Sequence, residues 1–285
     1  MRLRSPLFAP GDSERKIARA LTIPADAIIL DLEDSVAPSA KDAARALTAA
    51  TLRAAPRPLV VRVNPRGTEW HLPDLAAIVP ANPAALMLPK CEGAHDLRAL
   101  DTALSALEAA AGRPAGGIGV IALATETAAS VLHLASYPGA PRLLALAFGA
   151  EDLSADLGIV PRLPDGSHPA PVAAARAQML IAAAAAGVPA LDTPYPDPRD
   201  PAALARESAV AAADGFAGKL CIHPDQIGPV NDAFTPAEER IAWARMVAEA
   251  FAANPGAGVI SWNGKMLDRP HLKLAQRILA ATDTA

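Results

Sequence analysis

Aromatic residues are scarce in this chain of 285 residues, at 4% of the total. A surface that stacks on the bases of single-stranded nucleic acid needs such rings, so that class of partner is disfavoured. The net charge of −4, with both signs interspersed, offers no basic stripe for a phosphate backbone either. Only two cysteines occur, Cys91 and Cys221, both in or beside apolar runs. They make no disulfide framework and fit a reduced, cytoplasmic setting. The longest apolar stretch, around Met179 to Val188, is an alanine-rich segment too short to span a bilayer, so no membrane partner is expected. The opening MRLRSPLFAPGDSERK turns polar too early for a signal peptide. Catalytic signatures are missing too. No Gly-x-Gly-x-x-Gly follows the first apolar run, no His-x-x-His or His-Glu-x-x-His suggests zinc, and no Gly-x-Ser-x-Gly suggests a hydrolase elbow.

What the chain has is a repeated unit. Short apolar runs stop on charged or metal-competent residues: AIILDLED on Glu33 and Asp34, LVVRVNP on Arg62, ALMLPK on Lys90, IGVIALATET on Glu126, LLALAFGAED on Glu151 and Asp152, and GKLCIHP on His223. Each run is predicted as a buried strand, and helical segments alternate with them. Eight strands are expected, at 5–9, 27–32, 59–63, 85–88, 118–123, 143–147, 188–192 and 219–222. Helices are expected near 13–21, 40–53, 74–78, 96–111 and 171–186. Eight such units favour an α/β fold closed into a (β/α)8 TIM barrel over residues 1–230, with its chemistry at the C-terminal strand ends. Residues 231–285 are expected as a C-terminal helical extension. It comprises a helix introduced by the capping-box spacing Thr235-Pro236-Ala237-Glu238, a loop carrying GKMLDRPH, and a last helix from His271.

Several constellations allow two readings. Glu126 and Asp152, beside Glu151, come from neighbouring strand ends and suit a hard divalent cation, which takes one or two carboxylates and leaves other positions to water or substrate. They also precede helices, where acids act as caps. Arg62 sits among valines, with Val61 and Val63 pointing the other way. A buried arginine needs an anion: a ligand carboxylate, or Glu33 or Asp34 of the chain itself. Asp31 and Glu33 share one face and could orient Arg62, while Asp34 reads as a loop acid with Lys41 as partner. His223 is a lone histidine held by Pro224, and the two cysteines read as small core residues.

In order along the chain, RSPLFAPGDSERKIARA, DLEDSVAPSAK, VRVNPRGTEW, LPK, ATET, FGAEDLSADLG, GKLCIHPDQI and GKMLDRPH form a set. The set resembles the CoA-ester lyases of the HpcH/HpaI aldolase and citrate lyase β-subunit-like family. The resemblance implies a (β/α)8 barrel assembled as a homotrimer or hexamer, with Mg²⁺, or Mn²⁺ in its place, on Glu126 and Asp152. It implies a substrate contact at Arg62, an acyl-CoA near Arg4, Pro10-Gly11 and Lys16, and a 2-oxo acid as the second small molecule. It further implies that Asp268 enters a neighbouring subunit's site as the acid/base. Two positions depart from the family pattern: Ser130 stands where a glycine is common, and Cys91 replaces a valine-like residue after Leu-Pro-Lys. The activity implied is reversible Claisen-type cleavage of a carboxylated 3-hydroxyacyl-CoA such as malyl-, citramalyl- or citryl-CoA. A class II aldolase on free 2-oxo acids and a non-autonomous lyase subunit are the alternatives.

Overall fold

All eight expected strands form, each within three residues of its expected limits, in the computed structural model, which describes residues 1–262 and 264–282. They are β1 (Pro6–Pro10), β2 (Ala27–Asp31), β3 (Leu59–Arg62), β4 (Ala85–Leu88), β5 (Gly119–Leu123), β6 (Leu143–Ala147), β7 (Ala190–Asp192) and β8 (Gly218–Lys219). Each pairs in parallel with the next, in the order β1 to β8. Backbone bonds then join the last strand to the first: Lys219 N to Arg4 O at 2.8 Å, Cys221 N to Pro6 O at 2.8 Å and Phe8 N to Cys221 O at 2.9 Å. The sheet is thereby closed, and the barrel is the one the alternation predicts.

The strands read as unbroken apolar runs because both faces are buried. Ala27, Ile29, Val60, Ala85, Met87, Ile121, Leu123, Ala145 and Leu191 point inward and fill the barrel. Their neighbours Ile28, Leu30, Val61, Val63, Leu86 and Leu146 point outward. The period of two carries Asp31 and Arg62 to the inward face at the top of β2 and β3.

The outer ring comprises α1 (Glu14–Leu21), α2 (Lys41–Ala54), α3 (His71–Ile78), α4 (Ala94–Ala110), α5 (Ala128–Leu132), α6 (Ala150–Asp156), α7 (Ala170–Ala186), α8 (Pro201–Asp214) and α9 (Ile227–Ala233). Sequence periodicity gives no sign of α8, which is alanine-rich without a clear apolar stripe. Its start is nonetheless marked: Asp200 caps Ala203 N at 2.9 Å and Pro201 takes the first turn. Between α7, α8 and the outward side of β7 and β8 lies a buried ion network. Lys219 bonds Asp192 at 2.9 Å and Glu207 at 2.6 Å. Arg176 bonds Asp192 at 3.0 Å and Asp214 at 2.6 Å, and Arg162 pairs with Glu207.

The extension is α10 (Glu238–Ala252), a hairpin of β9 (Val259–Trp262) and β10 (Lys265–Asp268), and α11 (Arg269–Thr282). The segment GKMLDRPH, expected in a loop, instead forms β10 and opens α11. α9 covers residues 230 and 231 and packs on α8. Beyond it Val247, Phe251, Leu267, Ala275 and Ile278 build a hydrophobic cluster of their own. The capping box at Thr235 does not form: Ala237 is the cap position of α10 and contributes no side-chain bond. The Thr235 hydroxyl is used elsewhere, donating to Asn231 O at 2.7 Å and accepting from Arg4 at 2.6 Å. Among the described residues no helix is long and apolar enough to cross a membrane.

Candidate active site

The C-terminal ends of β2 to β6 bring five acids and two cations together. Asp31, the last residue of β2, takes Arg62 in a two-pronged bond, Nε to Oδ1 at 2.7 Å and Nη2 to Oδ2 at 2.8 Å. Burial opposes ionisation of Asp31, but the Arg62 bonds outweigh it and hold the carboxyl below its ordinary range. Arg62 Nη1 lies 2.9 Å from Glu33 Oε2 and 3.7 Å from Asp34. Arg62 thus makes the ion pairs within the chain that its burial calls for. Its guanidinium also stacks over Phe8, 4.8 Å from the ring centre. The loop carrying Glu33 is pinned by buried Lys41, which donates to Leu32 O, Glu33 O and Asn64 Oδ1 at 2.7, 2.8 and 2.7 Å. Lys41 thus serves backbone and amide oxygens, and not Asp34.

Lys90 lies two residues beyond β4, in the left-handed region at φ 48°. That geometry costs an L-residue roughly 1–2 kcal/mol. It aims the Lys90 amide at Glu126 Oε2, at 2.5 Å, and the ammonium at Glu33 Oε1 and Asp152 Oδ1, at 3.2 and 3.1 Å.

Glu126 ends the turn after β5, just before α5, where Thr127 and Ser130 form a reciprocal capping box. The serine that departs from the family's glycine thus has a capping role. Asp152 lies in the first turn of α6, and the start of α6 is tied on both sides. Gly149 N donates to Thr125 Oγ1 at 3.1 Å and Ala150 N to Thr193 Oγ1 at 3.4 Å. Asp156 accepts from Ala128 N at 2.7 Å, locking α6 to the start of α5 and fixing the two acids relative to one another. Gly149 is required by proximity: a Cβ there would lie 2.5 Å from Glu126 Cγ.

These acids outnumber their partners. Burial, then the charges of Glu33 and Asp152, push Glu126 up to about 8. Burial pushes Glu33 up to about 7. Glu33 Oε2 is buried without a well-aligned hydrogen bond, since Arg62 approaches it off the line of an N–H. A buried carboxylate set short of positive charge, with an unsatisfied oxygen, fits a divalent cation. Carboxylate ligands are hard donors, suited to Mg²⁺ or Mn²⁺. Among the described residues, however, no group of three or more His, Cys, Asp or Glu is arranged as a ready-made cage. Glu126 and Asp152 would leave the remaining positions to water or substrate.

Two cavities flank this cluster. A groove of about 370 Å³ runs from Phe8 and Pro10 between α1 and the segment after β8, bordered by Arg15, Lys16, Arg19 and His223. His223 caps the turn that follows it, accepting from Asp225 N at 3.2 Å. A polar cavity of about 540 Å³ lies on the other side, lined by Lys90, Arg66, Thr68, Glu92 and Thr127. Arg66 there is paired with Asp96.

Of the residues singled out from sequence, Arg62, Glu126 and Asp152 meet at one rim, and Lys16 borders the adjoining groove. Arg4 does not join them. It precedes β1, at the opposite end of the barrel, where Asp26 takes its Nε and Nη2 at 2.9 and 2.8 Å. Its place just ahead of the first strand sets it at the N-terminal end, away from the strand ends that carry the rim. Asp268 lies on β10, and its carboxylate bonds His271 Nδ1 at 2.5 Å, which lowers its pKa. No bond joins it to Glu126 or Asp152 within the described residues. Lys90 was visible only as a strand terminator, and its contacts could be seen only once β2, β5 and β6 were placed around it.

The HpcH/HpaI aldolase/citrate lyase family model matches residues 4–224, and a model for a C-C bond lyase of the TIM-barrel fold matches residues 176–284. The citrate lyase subunit beta of Escherichia coli is 35% identical, over 98% of this chain and 93% of its own. The mitochondrial citramalyl-CoA lyase of Mus musculus is 34% identical, over 97% of this chain and 85% of its own. The protein CitE of Mycobacterium tuberculosis, solved with magnesium, acetoacetate and coenzyme A, superposes with a TM-score of 0.76 at 35% identity, covering 98% of each chain. With its closed barrel, its carboxylate-rich rim and this similarity along nearly its whole length, the chain belongs to the HpcH/HpaI aldolase/citrate lyase family and is a lyase.

Proposed function

We propose that this protein reversibly cleaves a carboxylated 3-hydroxyacyl-CoA into an acyl-CoA and a 2-oxo acid, with a divalent cation as cofactor. The observation that carries this reading is the set Glu33, Glu126 and Asp152, buried or half-buried and under-neutralised, beside a groove bearing Arg15, Lys16 and Arg19. Glu126 and Asp152 would hold the cation, Mg²⁺ or Mn²⁺. Once bound, it supplies Lewis acidity to the oxygen that alternates between hydroxyl and 2-oxo carbonyl. The magnesium and coenzyme A in the M. tuberculosis relative support this choice of cofactor and substrate class.

The chain's own residues divide the remaining work. Arg62, fixed by Asp31, holds Glu33 in place and sets positive charge where the thioester enolate develops. Arg15, Lys16 and Arg19 line the groove as partners for the phosphates of the CoA portion. Phe8 and Pro10 give that groove an apolar floor leading to the rim. Asp268 exchanges the proton at the enolate carbon, reaching the rim of a neighbouring copy on the extension, so a trimer or hexamer completes each site. The groove favours this reading over an aldolase of free 2-oxo acids, which has no phosphates to bind.

Malyl-CoA, citramalyl-CoA and citryl-CoA, each supplied to the purified protein with Mg²⁺, test the proposal through release of glyoxylate, pyruvate or oxaloacetate. At least one should be cleaved, and cleavage should stop on chelation. No turnover of any of the three, in either direction, sinks the autonomous lyase. The E. coli relative is named a subunit, so turnover only on addition of further lyase components would assign this chain to such an assembly.

A further inference from the structure

Lys90 makes contacts that the reading above does not use. Its side chain bridges Glu33 and Asp152, at 3.2 and 3.1 Å, and its backbone amide holds Glu126 at 2.5 Å. One residue therefore binds three acids of the rim. It does so from a left-handed backbone, which sets amide and side chain toward the cluster together. Glu33 is buried there with an oxygen lacking an aligned partner. The Lys90 side chain is only part-buried, and it borders the polar cavity of about 540 Å³ shared with Arg66, Thr68 and Thr127.

A cation held by Asp152 would lie about 2.0–2.1 Å from its oxygen. An ammonium 3.1 Å from that same carboxylate would then be only a few ångströms from a double positive charge. At such separations like charges repel strongly in a partly buried site. Lysine, a point charge on a flexible four-carbon stem, can leave without disturbing the backbone that holds Glu126. The neighbouring polar cavity gives it a solvated place to go.

We propose that Lys90 is a resident counterion, which neutralises the rim carboxylates while no divalent cation is bound and swings into the Arg66–Thr68–Thr127 cavity when one arrives. This rests on the assignment of Glu126 and Asp152 as cation ligands. In the cavity the released ammonium finds the acids Glu92 and Asp96 among the lining residues.

Mg²⁺ binding to the substrate-free protein, followed by calorimetry, tests the exchange. Lys90→Met removes the competitor and should bind Mg²⁺ about tenfold more tightly than the unaltered chain. Lys90→Arg keeps the charge and should show no such gain. A second measurement uses the unaltered protein: reductive methylation of Lys90, read by mass spectrometry, should speed up severalfold on saturation with Mg²⁺. Equal or weaker binding by Lys90→Met, or methylation unchanged or slowed by Mg²⁺, overturns the proposal. If Lys90→Met does not fold, the methylation result decides alone. Absence of Mg²⁺ binding by the unaltered protein and by its variants would remove the cation site itself, and the cation-dependent mechanism proposed above with it. Binding by the unaltered protein without a gain in Lys90→Met removes only the counterion.

Discussion

Two groups of buried charge lie against the barrel strands, and burial is fully compensated in only one of them. Behind β7 and β8, three acids (Asp192, Glu207 and Asp214) meet three cations (Arg162, Arg176 and Lys219). At the rim, five acids (Asp31, Glu33, Asp34, Glu126 and Asp152) share two cations (Arg62 and Lys90). Burial is similar: Asp192 is 1% exposed, and Glu33 and Glu126 are each 4% exposed. Burial raises the pKa of all of them, but in the network paired charges overcome it, and Asp192 and Glu207 lie below their ordinary values. At the rim Arg62 overcomes burial at Asp31, but at Glu33 and Glu126 burial wins, and they rise to about 7 and about 8. Depth alone therefore does not distinguish a site from a structural brace. Unmatched charge does.

Neutralising one member of each group should separate them most sharply. Glu126→Gln is expected to lose roughly a thousandfold in turnover, several kcal/mol of transition-state stabilisation, while thermal stability is kept or raised. Lys219→Met should do the reverse. It leaves buried Asp192 with Arg176 as its one cation and should cost about 3 kcal/mol in urea unfolding, with the turnover of the surviving folded fraction little changed. A Glu126→Gln protein that unfolds readily, or a Lys219→Met protein of full stability, would erase the distinction.

Acidity sharpens the contrast further, with a smaller effect. Glu33 and Glu126 have folded values above the unfolded value of 4.5, so through them the folded state binds extra protons between about pH 4.5 and 8. Metal-free stability should fall as pH rises through that window, by on the order of a few kcal/mol. Asp192 and Glu207 have lowered values, so their contribution is present above about pH 4 and is lost as pH falls below it. Melting temperature against pH should trace a dome in chelator. Saturating Mg²⁺ should flatten only its alkaline side.

The barrel was legible because strands buried on both faces leave continuous apolar runs, and each run stops where the chain reaches the rim. Glu126, Asp152 and Arg62 were visible as those stops. The partner of Arg62 was not: Asp31 and Glu33 are both two-residue steps along one face, and only the β2–β3 register shows that Asp31 takes the planar fork. α8 escaped notice because alanine carries little periodic signal, although Asp200 and Pro201 mark its start. Lys90 carries its role in a backbone angle, which no residue pattern displays.

Gly149 has a consequence for inheritance. Glu126 Cγ occupies the space where any other residue would carry its first side-chain carbon. Every missense change in that codon introduces such a carbon, so none is conservative, and each must move the acid or the start of α6. A family member could vary its groove or its extension by small mutational steps, but at this position drift has no neighbouring state to occupy.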